Sequence, residues 1–491
     1  MFESAEIGHS VPKPEFLARE AVLREALLKA QYDLLANKTF PVIIIIGGVD
    51  GAGKSETVNI LNAWMDPRHI HTVAFGDMSD EERERPRMWR YWRALPPKGR
   101  IGILFGAWHT DPIIARVMER TNDGDLTRSM DQIVRFEQML ADEGALILKF
   151  WFHLSKKAQR KRLKALESDP RTTWRVADTD WERFKLYDKF RGVCESALRI
   201  TSTEAAPWTV VEGTDANYRY LTVGQSILDA LAKRLADGKP APRRPAALPE
   251  PAIDGRTILQ SIDFSKTLSH RKYQTALEKW QGRLNELSRS KKFRRRSAIV
   301  VFEGSDAAGK GSTIRRITGA LDARFYRVIP VAAPGEEERQ QPYLWRFWRN
   351  LARNGRTTIF DRSWYGRVLV ERVEGFCAED DWMRAYHEIN DFEKELVDAG
   401  AIVTKFWMTI TKEEQLKRFK LREDTPFKRF KITEEDWRNR DRWDDYERAV
   451  CDMVERTSVK EAPWVVMPAQ DKHWTRIEVL KTLCRRIESA L

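Results

Sequence analysis

The sequence predicts an α/β fold made twice in tandem, each copy a three-layer αβα sandwich with a parallel sheet, a phosphate-binding loop and a helical lid. Three observations carry that prediction. The stretch Val300 to Ile314, VVFEGSDAAGKGSTI, runs from an apolar segment through a glycine-rich loop into helix-compatible spacing. A second stretch, Val42 to Val58, repeats it, and short apolar strands alternate with long charged helices through both halves.

In the founding stretch the apolar run Ala298 to Phe302 delivers the chain into Gly304 to Lys310. Gly304 and Gly309 stand at the spacing of a phosphate cradle, where missing β-carbons let successive N–H groups converge on an anion and the next helix adds its positive end. Lys310 supplies a mobile positive charge, and Gly311 and Ser312 continue the candidate phosphate site into the helix. A tight turn with an exposed lysine is the plain alternative, but GxxxxGK between an apolar run and a helix favours phosphate. The hydroxyl residue that normally follows the lysine and ligates magnesium is replaced by Gly311. Asp306 in the loop and Asp361 downstream are therefore the carboxylates available to magnesium, a hard cation that takes oxygen ligands.

The repeat keeps one register. Lys54 and Lys310 stand 256 positions apart, and the same offset places Gly48 on Gly304, Asp50 on Asp306, Gly53 on Gly309 and Ser55 on Gly311. It continues without a gap through Trp89 and Trp345, Lys149 and Lys405, and Trp208 and Trp464. Chance does not hold register for so long, so the chain is a tandem duplication. Between the copies, residues 238–251 read GKPAPRRPAALPEP, a proline-rich extended linker, which sets the expected domains at 1–237 and 252–491. Each copy opens with its own amphipathic helix, Glu15 to Ala36 and Ser269 to Ser290. In the second copy strand Thr357 to Phe360, helix Asp381 to Ala399, strand Ile402 to Met408 and helix Lys412 to Arg422 follow. Ligands in such sheets sit beyond the carboxyl ends of the strands, where Gly304 to Lys310 and Asp361 to Tyr365 would converge.

Composition bounds the rest. At 491 residues the chain exceeds one core, and 42% hydrophobic with 32% charged residues is a soluble globular balance. The 18 Trp fall in step with charged helical segments, which suits core packing better than a stacking platform. A net charge of +12 and a pI near 9.4 point to a polyanionic partner without choosing among nucleic acid, membrane and polyphosphate. Four scattered cysteines without a CxxC pair argue against a disulfide framework or zinc site and suit the cytoplasm. The eight histidines form no ligand pattern and read as surface residues. Charges interrupt every apolar run in Met1 to Lys29, so no signal peptide is visible, and no run reaches the length of a membrane span.

Several side chains could carry chemistry. Asp361 ends a strand downstream of the loop, where a magnesium-orienting carboxylate is expected. Arg362, Arg367 and Arg372 follow it with Glu371 among them, and arginine forks bind phosphate oxygens bidentately; a solvated helix face is the alternative, above all for Arg372. Lys417 to Lys431, KRFKLREDTPFKRFK, reads as a basic lid broken near Pro426, with Lys417, Arg418, Lys420 and Lys428 as phosphate contacts. No nucleophile cluster suggests a covalent intermediate, and phosphoryl transfer needs none. The copies are unequal: the offset carries Asp361 to Phe105, Arg362 to Gly106, Arg367 to Asp111 and Glu371 to Ala115. The second copy is thus the expected catalyst and the first, with its degenerate loop Gly48, Asp50, Gly53, Lys54 and Ser55, a scaffold.

FEGSDAAGKGSTI, YLWRFWR (Tyr343 to Arg349) and IFDRSWYGRVLVERVEGF (Ile359 to Phe376) closely resemble the polyphosphate kinase 2 family, and the tandem arrangement resembles its two-domain class. The resemblance implies a P-loop kinase sandwich related to thymidylate kinase, magnesium, and polyphosphate-dependent phosphorylation of AMP to ADP. By motif, Asp306, Lys310, Asp361 and Arg362 match its functional loops, and Arg367 and Glu371 its extended second motif. Inorganic polyphosphate and a nucleotide are the implied partners, with no membrane and no nucleic acid; self-association is implied too, although the duplication can supply an internal dimer. The rival readings are ADP as acceptor, an ATP-dependent nucleoside monophosphate kinase, and a basic nucleic-acid-binding module.

Overall fold

A computed structural model describes residues 1–238, 258–426, 429 and 432–491. Of the linker only Gly238 is described, and Lys428 lies outside the described residues. In the first copy the strands are β1 (Val42–Gly48), β2 (Ile70–Ala74), β3 (Ile101–Phe105), β4 (Leu146–His153) and β5 (Trp208–Glu212). In the second they are β6 (Ser297–Gly304), β7 (Tyr326–Pro330), β8 (Thr357–Asp361), β9 (Ala401–Thr409) and β10 (Trp464–Pro468). The sheets run β2-β3-β1-β4-β5 and β7-β8-β6-β9-β10, with every pairing parallel. Their registers agree too: Val42 pairs with Ile101 and Leu146, and Ala298 with Thr357 and Ile402, each 256 positions on.

The central strands are apolar on both faces because helices cover both, as a parallel sheet requires. β6 is buried along its whole length except at Gly304. The opening helices, Lys13–Asn37 and His270–Arg289, pack against the closing helices of their own copies, Ala216–Asp237 and Lys472–Ala490. Contacts divide the chain into two compact units between residues 241 and 242, except that Ser79–Trp89 falls with the second unit and Gly335–Trp345 with the first. No helix among the described residues is long and apolar enough to cross a membrane. The four cysteines are free. Two histidines depart from the surface reading: His109 and His153 are buried.

At the heart of each unit a lysine on the strand beside the phosphate-loop strand bonds directly to a helix glutamate. Lys405 Nζ on β9 donates to Glu393 Oε2 at 2.7 Å, to the Tyr365 hydroxyl at 2.7 Å and to the Thr457 carbonyl at 2.8 Å. Glu393 Oε1 accepts from Trp364 Nε1 at 3.0 Å and from the Tyr365 hydroxyl at 2.7 Å. The first unit repeats the arrangement with Lys149, Glu137, Trp108 and Thr201, and puts His109 in place of Tyr365. Both ions of the Lys405–Glu393 pair are fully buried, so removal of one leaves the other without compensation. Lys405→Met should therefore lower the unfolding free energy by about 3–5 kcal/mol, and adding Glu393→Gln should restore part of the loss; urea unfolding measures both.

Candidate active site

The end of β6 builds the phosphate loop. Gly304 has φ 144°, and a β-carbon there would stand 2.2 Å from the Met408 carbonyl oxygen on β9, so no other residue fits. Gly309, at φ 104°, caps the helix Lys310–Thr318, whose amino end faces the loop. Lys310 Nζ folds over this turn and donates to the Gly304 carbonyl at 2.6 Å. Burial lowers its pKa, opposed chiefly by the Asp306 charge. The Ser312 hydroxyl is engaged inside the helix, donating to the Gly309 carbonyl at 2.9 Å and accepting from Arg476 at 3.2 Å.

β8 lies beside β6, and register sets Asp361 against Phe302, so the acidic loop leaves its strand next to the phosphate loop. Arg362 has φ 63°, a left-handed conformation that costs a branched or long side chain about 1 kcal/mol or more. Its guanidinium donates to Asp306 Oδ1 at 3.2 Å, and Asn439 Nδ2 donates to Asp306 Oδ2 at 3.0 Å. Ser363 donates to Glu303 Oε1 at 2.8 Å in a buried contact. Burial raises the Glu303 pKa. Trp364 and Tyr365 then plug into the buried Lys405–Glu393 pair, which fixes the loop from behind.

The remaining basic candidates separate. Arg367 pairs with Glu371 at 2.8 Å. Arg372, expected to bind phosphate, instead spends its guanidinium on Asp452 at 2.6 Å, the Tyr386 hydroxyl at 2.9 Å and the face of Trp382. Arg418 is also reassigned: only 5% exposed, it donates to the carbonyls of Ala307, Ala308, Ala469 and Gln470, bracing the phosphate loop rather than offering charge to a ligand. Lys417 and Lys420 lie on the exposed side of the same helix. A cavity of about 310 Å³ opens over the loop, with Asp306, Arg362 and Gln415 at its polar end and Trp407, Trp443 and Val450 on its apolar wall.

The first copy closes the equivalent place. Lys54 donates to the carbonyls of Gly48 and Val49 and approaches Asp50 to 3.7 Å, while Ser55 is exposed. A β-carbon on Gly53 would meet the Arg219 guanidinium at 2.2 Å, whereas the nearest atom at Gly309 is 3.5 Å away. Arg219 is 3% exposed and donates to Thr57, the Gly213 carbonyl and Glu56. Glu56 also pairs with Arg162 and Arg175. Gly47, Phe105, Gly106 and Ala107 stand where the second copy has Glu303, Asp361, Arg362 and Ser363, and Gly106 has the same φ of 63° as Arg362. Of the side chains the structure places at this edge, sequence reading named Asp361 and Arg362 and did not name Glu303, Asn439 or the Glu56–Arg219 pair. The signal for Glu303 was Gly47 at the shared offset.

Among the described residues no three acidic, histidine or cysteine side chains gather as a metal cluster. Asp306 and Asp361 are the carboxylates expected to take magnesium, a cation commonly held by one or two carboxylates with phosphate oxygens and water, and in this structure Asp306 accepts from Arg362 and Asn439.

A phosphate loop on the central strand of a parallel sheet, a carboxylate ending the neighbouring strand and a basic helix braced to the loop define a P-loop phosphotransferase. The profile of the polyphosphate kinase 2 family matches residues 12–239 and 267–491, and the chain belongs to that family. It is 55% identical to the polyphosphate:AMP phosphotransferase of Pseudomonas aeruginosa over 100% of this chain and 99% of that one. The enzyme of the same name from Acinetobacter johnsonii is 38% identical over 94% of this chain and 95% of its own. A crystal structure assigned to polyphosphate kinase 2 from Pseudomonas aeruginosa superposes with a TM-score of 0.91 at 52% identity, covering 100% of this chain and 99% of that one.

The strain at Arg362 yields a stability contrast. Arg362→Gly relieves the left-handed backbone while losing a half-exposed ion pair, so stability should stay within about 1 kcal/mol of wild type. Ser363→Ala leaves buried Glu303 without its donor and should cost about 1–3 kcal/mol. Denaturant unfolding of the two variants compares them directly.

Proposed function

We propose that the second unit transfers the terminal phosphoryl group of inorganic polyphosphate to AMP, releasing ADP and a chain shorter by one phosphate. The enzyme class and the two substrates follow from full-length likeness to polyphosphate:AMP phosphotransferases. The observation that supports placing the chemistry in one unit is that Glu303, Asp361, Arg362 and Ser363 stand together only there, with Arg362 held in a conformation that its counterpart Gly106 adopts without strain.

In this reading the amides of the loop Gly304 to Lys310 and the Lys310 ammonium hold the terminal phosphates of the donor. Arg362 lies beside Asp306, where charge spreads over the transferring group. An AMP phosphate oxygen attacks the terminal phosphorus, the bond to the bridging oxygen breaks, and the electron pair leaves on the shortened chain. Magnesium held by Asp306 and Asp361 would neutralise phosphate charge in that step. The apolar wall at Trp407 and Trp443 gives the nucleoside a dry face while its phosphate reaches the polar end of the cavity. Arg418 keeps the lid helix attached to the loop, and Glu303 with Ser363 sets the angle of the acidic turn; both are positioning residues. Four free cysteines suit the reducing cytoplasm.

The test is ADP formation from polyphosphate and AMP with magnesium. Asp361→Asn and Asp306→Asn should each lower the rate about a hundredfold or more and raise the magnesium concentration required. Near-normal rates in Asp361→Asn would remove the assignment, and transfer from ATP alone would replace polyphosphate as donor. Magnesium removal by chelation should abolish turnover in the wild type.

A further inference from the structure

The first unit carries more charge than its closed loop can use. Its helix Lys156–Ser168 has six basic residues and one acidic, against five and three in the equivalent helix Lys412–Glu423. Lys156, Lys157, Arg160, Lys161 and Lys164 are all exposed. Lys156 pairs with Asp188, but among the described residues no acidic side chain pairs with the other four. Three like-charge pairs at i,i+4 spacing result, Lys156 with Arg160, Arg160 with Lys164 and Lys157 with Lys161. Such pairs weaken a helix, and two of these lysines occupy its first turn, where the dipole also disfavours a cation.

The second unit avoids this arrangement. Lys157, Ala158 and Arg160 correspond there to Glu413, Glu414 and Leu416. Glu414 pairs with Arg418 at 2.7 Å, and Glu413 stands four residues before Lys417, the favourable order. The inner anchor differs as well. Arg418 is buried on the carbonyls of its phosphate loop, while its counterpart Arg162 is 42% exposed and pairs with Glu56, and Arg219 from the last helix supplies the buried guanidinium instead. Arg219 thus stands against Gly53 and Glu56 adds a carboxylate at the start of the helix after the first loop, an arrangement the second loop lacks.

We infer that the exposed face of Lys156–Ser168 is a docking surface for the body of a long inorganic polyphosphate chain, held while its end is consumed in the second unit. The inference rests on the reading of polyphosphate as donor. Each internal phosphate of the polymer carries a negative charge, and a row of unneutralised cations on a rigid helix matches such a ligand without requiring a shaped pocket. The occupant must be long: a donor of three or four phosphates fills the catalytic loop and leaves nothing to dock. Holding the polymer raises the effective concentration of its end, so the gain falls on KM rather than kcat.

The experiment compares wild type with Lys157→Gln/Arg160→Gln/Lys161→Gln/Lys164→Gln, assayed with AMP and either polyphosphate of several hundred units or tetraphosphate. The variant should show KM for the long donor raised about tenfold, kcat unchanged, tetraphosphate kinetics unchanged, and a weaker dependence of the long-donor KM on salt. Removal of like charges should leave thermal unfolding the same or raise it, which separates a docking loss from misfolding. An unchanged KM for the long donor, with tetraphosphate kinetics intact, would overturn the inference and leave the donor assignment standing. Failure of the wild type with both donors would sink the donor assignment itself. Fluorescence binding provides a second arm: if single-stranded RNA displaces labelled long polyphosphate at equal charge and binds more tightly through these residues, the surface belongs to nucleic acid and the inference is overturned.

Discussion

The buried pair of Lys405 and Glu393 is the constraint on which the second unit depends. It joins the longest strand to the helix Glu379–Asp398 and, through Trp364 and Tyr365, holds the turn that presents Asp361 and Arg362. A desolvated ion pair tolerates little displacement, because each ion needs its partner and all of its hydrogen bonds. The geometry of the acidic turn is therefore set by the core behind it rather than by the ligand in front. The same pair in the first unit, Lys149 with Glu137, stands behind Phe105-Gly106-Ala107, so the two copies share this core contact while their turns differ.

Fold and chemistry thus rest on different residues in the duplicated halves. The pairs that support the sheet occur twice, while Glu303, Asp361, Arg362 and Ser363 at its carboxyl edge occur once. Glu303 and Ser363 form a hydrogen bond that neither Gly47 nor Ala107 can make, and Arg362 bears a backbone strain that Gly106 does not. In the first unit Arg219, paired with Glu56, packs against Gly53, whereas no side chain comes as close to Gly309 in the second.

Most of the fold was legible in the sequence because the signals were local or periodic. The glycines of the loop need special backbone angles, and a shared offset over more than a hundred residues is visible without any knowledge of contacts; the helix expected at Asp381 to Ala399 is found at Glu379–Asp398. The site was legible only in part. Residue type announces a charge but not its partner, so Arg372 and Arg418 read as phosphate ligands although one is taken up by Asp452 and Trp382 and the other by loop carbonyls. Glu303 was hidden because an acid just after an apolar strand reads as a surface residue, and Arg219 because it reaches Gly53 from 166 positions away. Both lay within reach of a comparison of the two copies, position by position.

The central claim is that one unit performs the transfer and the other does not. It is tested most directly by ADP formation from AMP and polyphosphate in Lys54→Ala and Lys310→Ala proteins, assayed side by side with wild type on tetraphosphate, where docking of a long chain plays no part. The account predicts a rate near wild type for Lys54→Ala and a loss of about a hundredfold or more for Lys310→Ala. Equal losses in the two variants, or the larger loss in Lys54→Ala, would contradict it.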